Sequence, residues 1–432
     1  MVALAAMNAV LKTLTARGLL QDATAGLEER LGRGPVTAYV GLDPTADSLH
    51  VGSLVPIIGA AWLQQAGHTP IVLVGGGTGM VGDPSGKRSE RPILPIEEID
   101  RNAEAIRRQV ARFLDFESSK SNAARLRNNA DWLRKLPLMD FLRDTGKHLT
   151  LGFMLQKESV RSRLETGISY TEFSYMAIQA YDFWHLFRTE QCELQIGGSD
   201  QWGNITAGIE LIGKRESRQA YGLVFPLVTT TSGSKFGKSE AGNVWLDPAK
   251  TSPYQFYQFW INTDDRDVER YLKLFTFLPL EEIGAALAVH AQDPAKRIAQ
   301  RLLAKDVTTR VHGAAEAEQA IETSRALFER RGVTVTPGTG ELVLMGHAPT
   351  VKVSRSKLGD LSIVGLLVES GLAKSKAEAR RGIQGRGFYL NDVPVESVDL
   401  RLGETEFKGP PDDRYVMLRK GKKNYVRLVL EP

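Results

Sequence analysis

VTAYVGLDPTADSLHVGS, residues 36–53, continued by an apolar stretch to Gly67 and by TPIVLVGGGTGMVGD, residues 69–83, decides the fold. TAYVGL is a short β-type run, and DPTADS combines turn chemistry with helix-capping residues. His50 to Gly67 is a mostly apolar helical segment, and TPIVLVGGGTG is a buried strand running into a glycine loop. Strand, turn, helix and strand in that order make a βαβ unit of a parallel sheet.

Outward from this unit the alternation continues. Residues 97–116 (EEIDRNAEAIRRQVARFLDF) have helical periodicity, ELQIGGSDQWGNI from Glu193 reads as a buried strand emptying into a polar loop, and the pattern persists to about Phe225. After a lysine–glycine loop near Lys235 the pattern turns helical, from Pro253 to about Arg330. RGVTVTPGTGELVLMGHAPTV is rich in Gly, Thr and Pro and reads as a linker, after which a compact basic module closes the chain. The expected fold is α/β: a Rossmann-like parallel-sheet catalytic domain over 1–240, an all-helical domain over 241–330, a linker over 331–351 and a small α+β domain over 352–432.

Composition bounds the function classes. With 432 residues, 42% hydrophobic and 25% charged, the chain resembles an ordinary multidomain globular protein. No apolar run reaches the roughly 18 residues that span a bilayer. The opening MVALAAMNAVLKTLTARGLL carries Lys12 and Arg17 inside a helical period, so it reads as a first helix and not as a signal peptide. The single Cys192 forms no internal disulfide, and the seven histidines show no zinc-ligand spacing. The expectation is a cytoplasmic protein with no structural metal and no membrane partner. Charge is uneven: Lys352 to Arg427 holds 16 basic and 10 acidic residues, an excess compatible with a polyanionic partner.

Two segments carry chemistry. In DPTADSLHVGS, Asp43 to Ser53, a helix start supplies free backbone N–H groups and a positive dipole end for phosphates. Thr45 and His50 add side-chain donors, and Gly52 lets an adenine lie against the backbone. In KFGKS, residues 235–239 after the polar run TTTSGS, two lysines three apart can close over a triphosphate and neutralise charge growing on departing pyrophosphate. Taken singly, the first also reads as an ordinary capped turn and the second as a solvated basic turn.

Together, HVGS and KFGKS resemble the HIGH and KMSKS signatures of class I aminoacyl-tRNA synthetases. YVGLDPTADSLHVG, VGGGTGMVGDPSGKRSER, TEFSYMAIQAYDF and LQIGGSDQWGNI extend the likeness to the bacterial tyrosyl-tRNA synthetases, from near residue 30 to the C-terminus. The resemblance implies a tyrosine–tRNA ligase of the cytoplasm and of protein biosynthesis. Such an enzyme forms tyrosyl-AMP from L-tyrosine and ATP with release of pyrophosphate, then charges tRNA(Tyr). It also implies Mg2+ on the ATP phosphates, a homodimer and no DNA partner.

By the same resemblance Tyr39 and Asp182 hold the substrate phenol, with Thr78 in the same pocket. Asp83, Tyr175 and Gln179 hold the ammonium, and Gln201 lies near the carboxylate. Tyr175, Gln179 and Asp182 stand at i, i+4 and i+7, so one helix face can present all three. Thr45 and His50 match contacts to the γ-phosphate, and Lys87, Arg91, Lys235 and Lys238 match mobile cations. Asp43, Gly52, Ser53, Gly198 and Asp200 match positions around the nucleotide. No general acid or base is required, because the substrate carboxylate is already ionised and pyrophosphate leaves readily. Trp202 and Lys214 are candidates for acceptor-stem contact.

LLVESGLAKSKAEARRGIQGRGFYLNDVPV resembles the RNA-binding domain of ribosomal protein S-four. It implies phosphate contacts from Ser375, Lys376, Arg380 and Arg381, and from Lys420, Lys422 and Lys423 on following strands.

Two positions depart from the family pattern. Ser53 replaces the second histidine of HIGH, and Val40 stands where some relatives have cysteine. Three alternatives stay open on the sequence: a tryptophanyl enzyme, a catalytically silent synthetase-like RNA-binding protein, and a nucleotidyltransferase with another acceptor.

Overall fold

The computed structural model describes residues 8–83, 94–117, 119–164, 167–231, 233, 236–239, 242–328, 350–355, 362–391, 393–409, 414–421 and 424–431, the side chains of 159, 238–239, 326–328 and 424 excepted. Two compact units result: residues 1–251 with 255–317, and residues 252–254 with 318–432.

In the first unit the opening stretch forms α1 (Ala9–Ala16), capped by the Asn8 side chain. The sheet comprises β1 (Asp22–Ala23), β2 (Thr37–Leu42), β3 (Thr69–Val74), β4 (Arg125–Asn128), β5 (Cys192–Gly198) and β6 (Tyr221–Phe225), in the spatial order β1-β6-β5-β2-β3-β4. All neighbours are parallel except β1, which pairs antiparallel with β6. Every residue of β3 is buried, as a strand covered on both faces requires. The expected βαβ unit is present: β2 leads through a short 3-10 turn, Val51–Ser53, into α2 (Leu54–Gln65) and on to β3. At Gly59 of α2 an added Cβ would lie 2.0 Å from the Phe225 ring, so glycine sets how closely this helix approaches β6.

Helix α3 (Ile96–Val110) follows the predicted period, and α4 (Tyr170–Glu190) and α5 (Trp202–Glu216) pack on each other. The polar stretch after β5, expected as a loop, is instead a 3-10 turn (Ser199–Gln201) running directly into α5. Its polar residues serve as a helix start.

Of the helices after Thr251, α6 (Asp265–Phe275) packs on α2 and is joined by α7 (Leu280–Gln292) and α8 (Ile298–His312). These helices therefore group with the sheet by compactness, although their sequence pattern is distinct.

The second unit holds the sheet β11-β10-β12-β13-β9, formed by β9 (Thr350–Ser354), β10 (Phe388–Leu390), β11 (Val393–Pro394), β12 (Tyr415–Lys420) and β13 (Asn424–Glu431). Strand β9 pairs parallel with β13 and begins at Thr350, inside the segment that composition reads as linker; residues 331–349 lie outside the described residues. Helices α9 (Ile363–Glu369) and α10 (Lys376–Gln384) share a core with the sheet that includes Leu366, Leu367, Phe388, Val416, Leu418 and Leu428.

Helix α4 is fixed at its start by a buried ion pair. The Ser169 side chain accepts from Glu172 N, and both terminal nitrogens of Arg163 donate to the Glu172 carboxylate at 2.9 Å. Both side chains are buried, so neither charge can fall back on water. Arg163→Met should therefore lower stability by about 3–5 kcal/mol, because it strands a buried carboxylate. Arg163→Met with Glu172→Leu should recover most of that loss, as read by denaturant midpoints of the two variants.

Candidate active site

The chain passes from β2 to β3 on one side and later returns to place β5 on the other side of β2. That reversal opens a crevice beyond the carboxyl ends of β2 and β5, the position where open α/β sheets bind ligands. A cavity of about 320 Å³ lies there. Its β2 side is Tyr39, Val40 and Asp43, followed by Thr45, Gly52 and Ser53. Thr78 and Asp83 come from the loop after β3, and Tyr175, Gln179 and Asp182 from one face of α4, as their spacing predicts. Gly198, Asp200 and Gln201 close it from the end of β5.

Asp182 is 1% exposed, and burial raises its carboxyl to about 7 even though two donors serve the carboxylate. Those donors are Asn129 Nδ2 at 2.8 Å and Trp132 Nε1 at 2.7 Å. Asn129 also donates to Thr78 Oγ1 at 3.0 Å and accepts from Gly77 N at 2.7 Å, so its amide is held from several directions. Thr78 Oγ1 in turn donates to Asp43 Oδ1 at 2.9 Å, and Tyr175 Oη donates to Asp43 Oδ2 at 3.0 Å. A Cβ at residue 75 would lie 2.2 Å from Asp43 Oδ1 and 2.4 Å from Thr78 Oγ1, so this network requires Gly75.

Beside Asp182 is Tyr39, also 1% exposed, tilted against Phe183 at 5.3 Å. Its hydroxyl makes no hydrogen bond among the described residues, and burial followed by the Asp182 charge pushes its pKa well up. Opposite it on β5 in sheet register stands Gln195, whose buried Oε1 likewise has no partner among the described residues. A second polar group gathers Asp83, Gln179, Gln201 and Asn204: Gln201 Nε2 donates to Asp83 at 2.6 Å, and Asn204 Nδ2 donates to Gln179 Oε1 at 3.0 Å.

His50 caps the turn ahead of α2, its Nδ1 accepting from Gly52 N at 3.0 Å. The ring proton is thereby assigned to Nε2, which makes that nitrogen a donor. Ser53 is the N-cap of α2 but makes no capping bond with its side chain. The two signature segments are joined through residues 244–246. His50 forms a β-bridge with Trp245, Val51 N donates to Val244 O at 3.0 Å, and Val244 N donates to Gly237 O at 2.9 Å. Lys238 enters a short strand (β7, Lys238–Ser239) paired with β8 (Gly242–Asn243) and is described through its backbone only. Lys87, Arg91 and Lys235 lie outside the described residues.

Residues 31–329 match the family model described as tRNA synthetases class I (W and Y), and residues 343–428 match a tyrosine–tRNA ligase SYY-like C-terminal domain. The chain belongs to the class I tRNA synthetases. It is 58% identical to a tyrosine–tRNA ligase of Anaeromyxobacter dehalogenans over 97% of this chain and 99% of that one. It is 51% identical to one of Roseiflexus castenholzii over 98% and 100%. A C-terminally truncated mitochondrial tyrosyl-tRNA synthetase from Aspergillus nidulans superposes with a TM-score of 0.67 at 33% identity, covering 74% of this chain and 94% of that one.

Of the RNA-contact candidates, Lys376, Arg380 and Arg381 are exposed on α10, and Ser375 caps that helix. Lys420 is paired with Glu378 at 2.8 Å, while Lys422 and Lys423 lie outside the described residues. Trp202 opens α5 half-buried, and Lys214 in its last turn pairs with Glu210 at 2.8 Å and donates to His148 O at 2.8 Å.

Sequence reading missed Asn129, Trp132 and Gln195. The first two follow β4, whose RLRN sequence holds a single apolar residue and gives no strand signal, Arg125 and Arg127 being paired with Glu190. Gln195 is hidden inside a strand that is otherwise apolar or glycine over residues 194–198.

Because the Asp182 pKa is raised above its unfolded value, ionisation of this group opposes folding: its contribution is most favourable below about 4 and is lost as pH rises to about 7. Trp132→Phe removes a donor from the carboxylate and should move its titration above that of the parent. Carbon-13 NMR of labelled aspartate should register the upward move.

Proposed function

We infer that the chain is a tyrosine–tRNA ligase, consuming ATP and L-tyrosine and charging tRNA. The carrying observation is the pairing of a buried, unpartnered Tyr39 hydroxyl with the buried Asp182 carboxylate in the cavity. A phenol both donates and accepts, so it can give its proton to Asp182 and accept from Tyr39; an indole only donates and would leave the Tyr39 hydroxyl unmet. This favours tyrosine over tryptophan. Asp83, Gln179 and Tyr175 suit the ammonium, with Gln201 close to the substrate carboxylate.

In the first step a tyrosine carboxylate oxygen attacks the α-phosphorus of ATP, the bond to the bridging oxygen breaks, and pyrophosphate leaves with the electron pair. The charge that grows on pyrophosphate needs donors placed in advance. His50 Nε2, Thr45, Lys235 and Lys238 are assigned that role, with Lys87 and Arg91 as further cations. Asp43, Gly52, Ser53, Gly198 and Asp200 are assigned to the nucleotide. A tRNA ribose hydroxyl then attacks the tyrosyl carbonyl and AMP departs.

Mg2+ is expected with the ATP phosphates. Among the described residues no group of three or more His, Cys, Asp or Glu is arranged to hold an ion, and no step is routed through one.

Helix α10 suits RNA phosphates through Lys376, Arg380 and Arg381, with Trp202 and Lys214 as the acceptor-end candidates. The domain borders near 240, 330 and 351 separate these tasks. A homodimer is supported by apolar side chains exposed within one stretch, among them Leu138 at 68%, Met139 at 72%, Leu151 at 66% and Tyr170 at 75%. No described helix is long and apolar enough to cross a membrane, and cytoplasmic protein synthesis is the proposed setting.

Amino-acid-dependent pyrophosphate exchange followed by tRNA charging tests the reading: tyrosine alone should support both, and exchange driven by tryptophan would overturn it. Tyr39→Phe should reduce the preference for tyrosine over phenylalanine, and Asp182→Ala should reduce it more, since a charged acceptor makes the stronger bond. Ratios of kcat/KM measure both. In single-turnover adenylate formation, His50→Ala should cost about 2–4 kcal/mol. Ser53→Ala should cost only about 0.5–1.5 kcal/mol, as for a neutral hydrogen bond.

A further inference from the structure

The segment leading into KFGKS is tied to the helices that follow the sheet by two contacts that the catalytic assignment does not use. The first is polar. Asp267, in the first turn of α6 and 5% exposed, accepts from Thr231 N at 3.0 Å through one oxygen and from Thr231 Oγ1 through the other. Two residues earlier, Thr229 O accepts from Tyr271 Oη and from Arg270 Nη1, each at 3.4 Å.

The second contact is apolar. Phe236, inside the signature and 6% exposed, stacks on Phe275 with ring centroids 5.1 Å apart and meets Tyr271 edge-on at 5.1 Å, with Phe259 at 5.7 Å and Trp260 at 5.9 Å. Gly237, the next residue, accepts from Val244 N, and a Cβ on it would stand 3.0 Å from Val51 Cγ2, next to the His50 turn. Phe236 and Gly237 are therefore held between α6 and the His50 turn.

We propose that Asp267 is a positioning residue for the adenylation step: through Thr231, and together with the aromatic cage around Phe236, it sets the placement of the KFGKS segment against the His50 turn. A carboxylate that fixes a backbone N–H and a hydroxyl at once restrains both the direction and the rotation of the chain at Thr231. The cage restrains its next anchored residue. A cation placed in advance stabilises departing pyrophosphate better than one that must be ordered during the reaction. The tyrosine cavity draws no residue from α6, so loosening this anchor should act on the ATP-dependent step and leave tyrosine binding alone. This proposal rests on the ligase reading given above.

The test uses the full-length chain and measures single-turnover tyrosyl-AMP formation and equilibrium tyrosine binding for Asp267→Ala, Asp267→Asn, Thr231→Val and the double variant Asp267→Ala with Thr231→Val. Asp267→Ala should slow adenylate formation by about tenfold or more, the equivalent of one well-placed bond, with unchanged tyrosine affinity. Asp267→Asn keeps an acceptor oxygen and should recover part of the rate. Thr231→Val should slow the parent but add nothing to Asp267→Ala, because the two act through one contact. If Asp267→Ala does not fold, Asp267→Asn and Thr231→Val carry the comparison. A parental rate in folded Asp267 variants, or equal losses in rate and tyrosine affinity, would overturn the positioning role while the parent still forms tyrosyl-AMP. A parent that forms none would overturn the ligase reading and this proposal with it.

Discussion

A carboxylate removed from water must find donors or become neutral, and the pocket is organised around that demand at Asp182. Asn129 and Trp132 meet it from the segment after β4, and α4 delivers the residue from across the cavity. Because Asn129 also holds Thr78, and Thr78 holds Asp43, the constraint passes along hydrogen bonds to the start of the segment Asp43 to Ser53. Of the side chains assigned to tyrosine, Asp182, Thr78 and Tyr175 are thereby linked to Asp43, which is assigned to the nucleotide. Only glycine at residue 75 leaves room for this network.

That network stands where it does because of sheet order. Strands β2 and β5 are far apart in the chain but adjacent in the sheet, with Tyr39 opposite Gln195. Their carboxyl ends diverge into separate loops, and the cleft between them is the space left by the reversal. The helix α4 flanks the cleft and is set at its N-terminal end by the Arg163–Glu172 pair, so the register of Tyr175, Gln179 and Asp182 depends on a contact outside the pocket.

The two signature segments depend on a different kind of support. HVGS and KFGKS are nearly two hundred residues apart in sequence. The backbone of residues 244–246 connects them, and the helices beyond supply the aromatic cage around Phe236. Compactness accordingly places those helices with the sheet, even though their pattern in the sequence is that of a separate domain.

What the sequence determined follows from local rules. The period of residues 36–83 specified the βαβ unit, the i, i+4, i+7 spacing put three polar side chains on one face of α4, and the signature pair pointed to triphosphate chemistry. These signals survive because backbone geometry converts spacing directly into direction. The tertiary structure alone decided the rest. Asn129 and Trp132 became the donors to Asp182, Gln195 became a polar atom facing Tyr39, Asp267 met Thr231, and GSDQ became a helix start instead of a loop. Each depends on partners distant in the chain, and no local period records a hydrogen bond whose other half arrives only when the sheet closes.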